Sequence, residues 1–151
     1  MVSALDAARA RFLVIGAYAM AAHGVPRATG DLDVWVEPTA ENAPRVFSAL
    51  VRFGAPVRAL GVTAQDFATP GVVCQIGLPP RRIDVTTVID GVTFDEAWAG
   101  RLEGSLGPVR LSYIGREALM RNKEAAARAK DLADLEALKS ASGRRGARKS
   151  R

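Results

Sequence analysis

Short apolar runs broken by turn residues alternate along this chain with stretches whose apolar positions recur at helical spacing. Phe12 to Ile15 is apolar and ends at Gly16, and Ala17 to Ala22 are strong helix formers, so this segment reads as strand, tight turn, helix. After Gly24, Pro26 and Gly30 comes Asp31-Leu32-Asp33-Val34-Trp35-Val36, which places successive side chains on opposite faces as a strand does. Residues 1 to 11 are expected to form a short helix with Ser3 as N-cap. A helix is predicted near Ala40 to Phe53, capped by Thr39, with Val46, Phe47, Leu50 and Val51 as its apolar stripe and Gly54 as its stop. From Gly54 to Gly71 the pattern is weak, with a short extended piece around Val57 to Leu60 and a turn near Ala64 to Phe67.

Val72 to Gly77 and Ile83 to Ile89 are β-branched and apolar, and Leu78-Pro79-Pro80-Arg81-Arg82 between them has the composition of a hairpin connection, so they are predicted to pair antiparallel. Asp90-Gly91 is a tight turn before a short helix, Phe94 to Ala99, anchored by Phe94, Ala97 and Trp98. Val109 to Tyr113 is a further strand. A helical region follows from about Gly115 to Ser140, with a break near Asn122 and Gly143 as its stop. Leu119, Ala126, Leu132, Leu135 and Leu138 are its core-facing side, and Lys123, Arg128, Lys130 and Asp131 lie elsewhere. No internal repeat appears.

Charge changes this picture at one end only. Of the 21 Lys and Arg residues, Arg144, Arg145, Arg148, Lys149 and Arg151 lie in the last nine positions, which hold no acid; residues 1–142 keep 16 basic against 16 acidic residues and are formally neutral. The expectation is one domain over 1–142 and a basic, disordered tail over 143–151, either merely solubilising or holding phosphate backbones loosely. With 48% hydrophobic and 25% charged residues, the chain has an ordinary soluble composition. No apolar run approaches the roughly 20 residues that span a bilayer, and the start lacks the layout of a signal peptide, so the expected address is the cytoplasm, with no membrane partner. Cys74, the one cysteine, sits in an apolar run and reads as buried. With a single histidine besides, a Cys/His zinc site is improbable.

The chemistry concentrates at Asp31 and Asp33. One residue apart on a strand, they point the same way and repel, unless a hard divalent cation such as Mg²⁺ or Mn²⁺ sits between them. A helix opening after Gly16 would add backbone N–H groups suited to phosphate. Asp84, at the start of an otherwise apolar strand, is an acid that needs a partner if buried.

A strand ending in two small residues, a helix, and Asp-x-Asp on the next strand resembles the signature of the nucleotidyltransferase superfamily with the polymerase-beta-like fold. Here the motif reads Gly16-Ala17, thirteen residues, then Asp31-Leu32-Asp33. Over residues 10–139, GAYAMAAHGVPRATGDLDVWV, QIGLPPRRIDVTTVIDGVTFDEAW and KEAAARAKDLADLEAL together resemble small bacterial nucleotidyltransferase-like proteins related to components of toxin–antitoxin and abortive-infection systems. The resemblance implies an α/β (α+β) single-domain fold, a mixed and largely antiparallel sheet backed by helices, with C-terminal helices. It implies Asp31, Asp33 and Asp84 as catalytic and metal-binding residues, with Gly16, Ala17, Arg27 and Lys123 at the nucleotide. Active members of that family usually carry Gly or Ser where Ala17 stands; alanine keeps the N–H and lacks a hydroxyl. The implied activity is metal-dependent transfer of a nucleoside monophosphate from a triphosphate such as ATP to a hydroxyl on RNA, protein or a small molecule, in a chain with a partner protein in a two-component system. The alternative is a weak or inactive module of the same fold that binds a protein or nucleic acid.

Other residues on the approach keep two readings each. Arg27 either pairs with an aspartate or touches a triphosphate. His23 is a satisfied helix-end residue or a catalytic base. Lys123 and Lys130 either reach phosphate or sit on a solvated helix face. The phosphate-loop, dinucleotide-loop and nucleophile-elbow motifs are all missing, which weighs against kinase, dehydrogenase and serine-hydrolase chemistry.

Overall fold

The strand β1, Phe12–Ile15, lies at the middle of the molecule because its residues are apolar on both faces, and Phe12, Leu13 and Val14 are all buried. It follows a short helix α1, Val2–Ala7, and turns at Gly16 directly into α2, Gly16–Ala22. β2, Leu32–Val36, runs antiparallel to β1 and pairs Ile15 with Asp33. The computed structural model describes residues 1–149, with side chains through Arg145.

Beyond β2, the helix α3, Ala43–Phe53, ends at Gly54, whose φ of 90° is the left-handed conformation glycine adopts readily. A 3-10 turn over Ala64–Ala68 leads to β3, Val73–Ile76, and β4, Ile83–Thr86, which pair antiparallel. α4, Phe94–Ala99, is followed by the hairpin of β5, Leu102–Leu106, and β6, Val109–Tyr113. Two packed helices, α5, Arg116–Ala126, and α6, Ala129–Lys149, complete the described residues. The six strands form one mixed sheet in the order β3-β4-β2-β1-β6-β5. The pairs β1–β6 and β2–β4 are parallel and the other three antiparallel, so the fold is the mixed α/β sheet with C-terminal helices that the sequence implied. No helix among the described residues is long and apolar enough to cross a membrane.

Register assigns the faces. Leu13 pairs with Trp35, Ile15 with Asp33, and Asp33 with Asp84, so these side chains share one face of the sheet. The apolar part of that face is held by α4: Phe94 meets Trp35 edge to face at 5.1 Å, and Trp98 stacks on Phe94. The carboxylates stand where β2 and β4 begin and β1 ends.

Several boundaries differ from expectation. Ser3 lies inside α1, whose N-cap is Met1. α3 starts at Ala43 after a preliminary turn in which Thr39 Oγ1 accepts from the Asn42 N–H. Its buried face is Ala43, Val46, Ala49 and Leu50, while Val51 is exposed. Residues 57–60 form turns rather than an extended piece, and β4 stops at Thr86. β5 had no apolar run to mark it. It is an edge strand with no buried residue, and its Gly104 leaves room for the Tyr113 ring. The break between α5 and α6 falls at Ala127, not near Asn122, because Asp131 turns back to accept from the Arg128 N–H and starts a new helix there. Gly143 does not stop α6, which continues to Lys149, so positions 143–149 are helical where a disordered tail was expected; Ser150 and Arg151 lie outside the described residues.

Candidate functional site

Asp33 and Asp84 are direct partners across the parallel β2–β4 ladder, and Asp31 stands just before β2. Gly16 makes the Asp33 position possible. Its φ is +66°, and a Cβ there would lie 2.1 Å from Asp33 Oδ2, so any side chain would displace the carboxylate. Gly30 does the same for the approach to Asp31, since a Cβ on it would meet the Pro80 carbonyl oxygen at 1.6 Å. Burial raises the Asp33 carboxyl above its ordinary range, and the charges of Asp84 and Asp31 raise it further against the pull of Lys130 and Arg82.

Arg82 was read only as part of the hairpin connection, yet it binds two of the three acids. Its backbone N–H donates to Asp31 Oδ1 at 3.2 Å, and its Nη2 donates to Asp84 Oδ2 at 3.2 Å. Its Nε lies 3.0 Å from Asp84 Oδ1 within ion-pair distance, but the angles there do not make a hydrogen bond, leaving that buried oxygen without one. Among the described residues no three acid, histidine or cysteine side chains are gathered as they stand to hold a metal. The donor set nevertheless suits a hard divalent cation: among the described residues no side-chain hydrogen bond reaches the Asp33 carboxylate, Asp84 Oδ1 is orphaned, and all candidate ligands are carboxylate oxygens on, or just before, neighbouring strands.

These acids line a cavity of about 720 Å³ together with Gly16, Ala17 and, on the far side, Lys123 and Lys130. The far wall carries a second cluster. Lys123 Nζ lies 3.0 Å from Asp134 Oδ2 and 3.4 Å from Asp131 Oδ1. Arg128 Nε donates to Asp131 Oδ2 at 2.6 Å, and Arg27 pairs with Asp134. Asp131 and Asp134 are 1% exposed and Lys123 is 8% exposed. Burial pushes the Lys123 ammonium below its ordinary range despite Asp131. Burial alone would raise the Asp131 carboxyl, but the Arg128 hydrogen bond and the charges of Lys123 and Arg128 together hold it below the usual range.

The expected placing of Lys123 and Asp131 away from the core side is thus corrected: both are buried, and Leu132, expected inside, is 45% exposed. The reason is the choice of stripe. Asp131, Asp134, Leu135 and Leu138 follow the spacing i, i+3, i+4, i+7 of one helical face, whereas Leu132 lies off it. Two aspartates on a core stripe were the signal for the buried cluster, and Asp134 was missed for want of reading it. Arg27 meets an aspartate, but one on α6 rather than on the strands. Lys130 is exposed and has no ion pair among the described residues. His23 ends α2, buried, with Nε2 2.8 Å from the Ile114 carbonyl oxygen. Cys74 is buried.

Against models of known protein families and against curated proteins, the chain gives no match.

Proposed function

We propose that this protein is a metal-dependent nucleotidyltransferase, moving a nucleoside monophosphate from a nucleoside triphosphate to a hydroxyl acceptor on RNA, protein or a small molecule. The observation that carries the reading is the in-register pairing of Asp33 with Asp84, with Asp31 at the same end of these strands, on the wall of a 720 Å³ cavity. That volume is within the range of pockets for small ligands. A divalent cation held by Asp31, Asp33 and Asp84 would neutralise phosphate oxygens as charge shifts to the leaving pyrophosphate. Lys130 is the cavity-lining cation best able to pair with a phosphate, because Lys123, Arg27, Arg82 and Arg128 are each engaged by an aspartate. Lys123 accordingly acts by holding the α5–α6 wall rather than by direct phosphate contact. A place in a toxin–antitoxin pair rests on the sequence resemblance alone.

A second reading, an inactive module binding a protein or nucleic acid, is favoured by Ala17 and by the guanidinium of Arg82 on Asp84. Incubation with each labelled triphosphate, Mg²⁺ or Mn²⁺, cellular RNA and lysate protein separates them. Labelled product that disappears in Asp33→Ala is expected; no product under any condition favours the module.

A further inference from the structure

We infer that Arg82 is a built-in counter-ion for the carboxylate cluster, one that an incoming divalent cation displaces from Asp84 and that then turns to the anionic ligand in the same cavity. The inference rests on the metal-binding reading above and assigns a role to a residue that reading does not use.

The geometry has two separable parts. The backbone N–H of Arg82 holds Asp31 Oδ1, and the Arg82 carbonyl oxygen accepts from the Leu32 N–H at 2.9 Å, so the main chain at this position is tied to the start of β2. This tie sets Asp31 beside the strand and does not depend on the side chain. The guanidinium, by contrast, reaches from just before β4 to Asp84, two residues on, and lies against both of its carboxylate oxygens.

Three features make the contact an exchangeable one. Only one hydrogen bond of good geometry is formed, because Nε faces Asp84 Oδ1 at 3.0 Å without the angle for one. The guanidinium keeps donors to spare, since arginine has five N–H groups and the side chain makes no other hydrogen bond among the described residues. The Arg82 side chain is 32% exposed, on the cavity wall, so leaving Asp84 moves it into the cavity and not through packed protein. Clustered acids without a cation repel one another, and a single positive charge on Asp84 offsets part of that repulsion while the site is empty of metal. A doubly charged cation among the same oxygens would repel the guanidinium and compete for the same lone pairs. Once released, a planar fork of donors matches phosphate oxygens bidentately.

The consequence is a pair of opposite effects from one substitution. Without the guanidinium the cation has no competitor, and Asp84 and Asp33 are more negative toward it. Without the guanidinium the triphosphate loses a partner. A residue that served only to position Asp84 would weaken both together.

The test is a titration of Mn²⁺ alone, followed by electron paramagnetic resonance of free Mn²⁺, and a separate titration of a non-hydrolysable triphosphate at saturating Mn²⁺. Both use the full chain and its Arg82→Ala and Arg82→Lys variants, with thermal unfolding to verify that each is folded. The expected result is Mn²⁺ binding tightened about tenfold in Arg82→Ala, the scale of removing one nearby like charge, with triphosphate binding weakened by a similar factor. Arg82→Lys lies between, because an ammonium keeps the charge and loses the fork. Mn²⁺ affinity unchanged or weakened in Arg82→Ala overturns the counter-ion role and leaves Arg82 as a support for Asp84. No Mn²⁺ binding by the unsubstituted chain or any variant overturns the metal reading itself, and with it this inference.

Discussion

On the sheet side of the cavity, Asp33 sits against Asp84 and Asp31 with its carboxyl raised by burial and by their charge. On the helix side, Asp131 and Asp134 are more deeply buried, yet Asp131 is held below its ordinary range by Arg128 and Lys123. The difference lies in the partners. Acids on adjacent strands face each other with one arginine between them, whereas each acid on α6 has two cations, and that cluster joins α5, α6 and the loop carrying Arg27. The first arrangement costs stability and suits a cation from outside; the second has its charges offset from within and holds the wall in place.

The strongest way to break this contrast is to remove an acid from the helix side. Asp134→Ala leaves Lys123 and Arg27 without their shared partner, and breaking a buried pair in this way costs about 4 kcal/mol, or roughly 10 °C in Tm for a chain of this size. Thermal and urea unfolding measure it. A loss under 1 kcal/mol would show the cluster to be ornamental. Gly16→Ala comes next, at about 2 kcal/mol, because alanine is strained at a φ of +66° and its Cβ meets Asp33 Oδ2. Wild-type stability in that variant would mean that Asp33 does not press on the turn.

On the sheet side the sign reverses. Asp33→Asn keeps the shape, removes like-charge repulsion, and leaves the fold as stable or about 1 kcal/mol more so. Destabilisation comparable with Asp134→Ala would erase the distinction between the walls.

What could be seen in the chain follows the same division. A strand has a period of two, so Asp31 and Asp33 were legible as a pair, and Asp84 stood out on an apolar strand. Arg82 was not legible, since its contact with Asp31 comes from the register between β2 and β4, which are far apart in sequence. Asp131 was misplaced and Asp134 passed over for another reason: leucines at 132, 135 and 138 suggested a stripe, and a charged residue on a core stripe is intelligible only once Lys123, Arg27 and Arg128 are known to meet it. β5 offers a third case, an edge strand whose pattern is set by Tyr113 lying over Gly104 rather than by its own apolar residues.

A smaller effect separates the walls by pH. Asp33 has a raised folded pKa, so in the window above the ordinary value of 3.8 the native state holds a proton the unfolded chain has lost, and stability grows as pH falls through that window. Asp131 has a lowered one, so its contribution is complete above 3.8 and disappears as pH falls below it. Asp33→Asn should flatten the first limb and spare the second in a series of urea midpoints against pH. An unaltered first limb would assign it to another group.

The proposed activity depends on the strand acids holding a cation and a triphosphate together. Calorimetric titration of the chain with a triphosphate and Mg²⁺, repeated on Asp31→Asn and Asp33→Asn, tests that dependence directly. Measurable binding by the unsubstituted chain that requires Mg²⁺ and is abolished in both folded variants is expected; affinity unchanged in both would contradict a cation site at these acids.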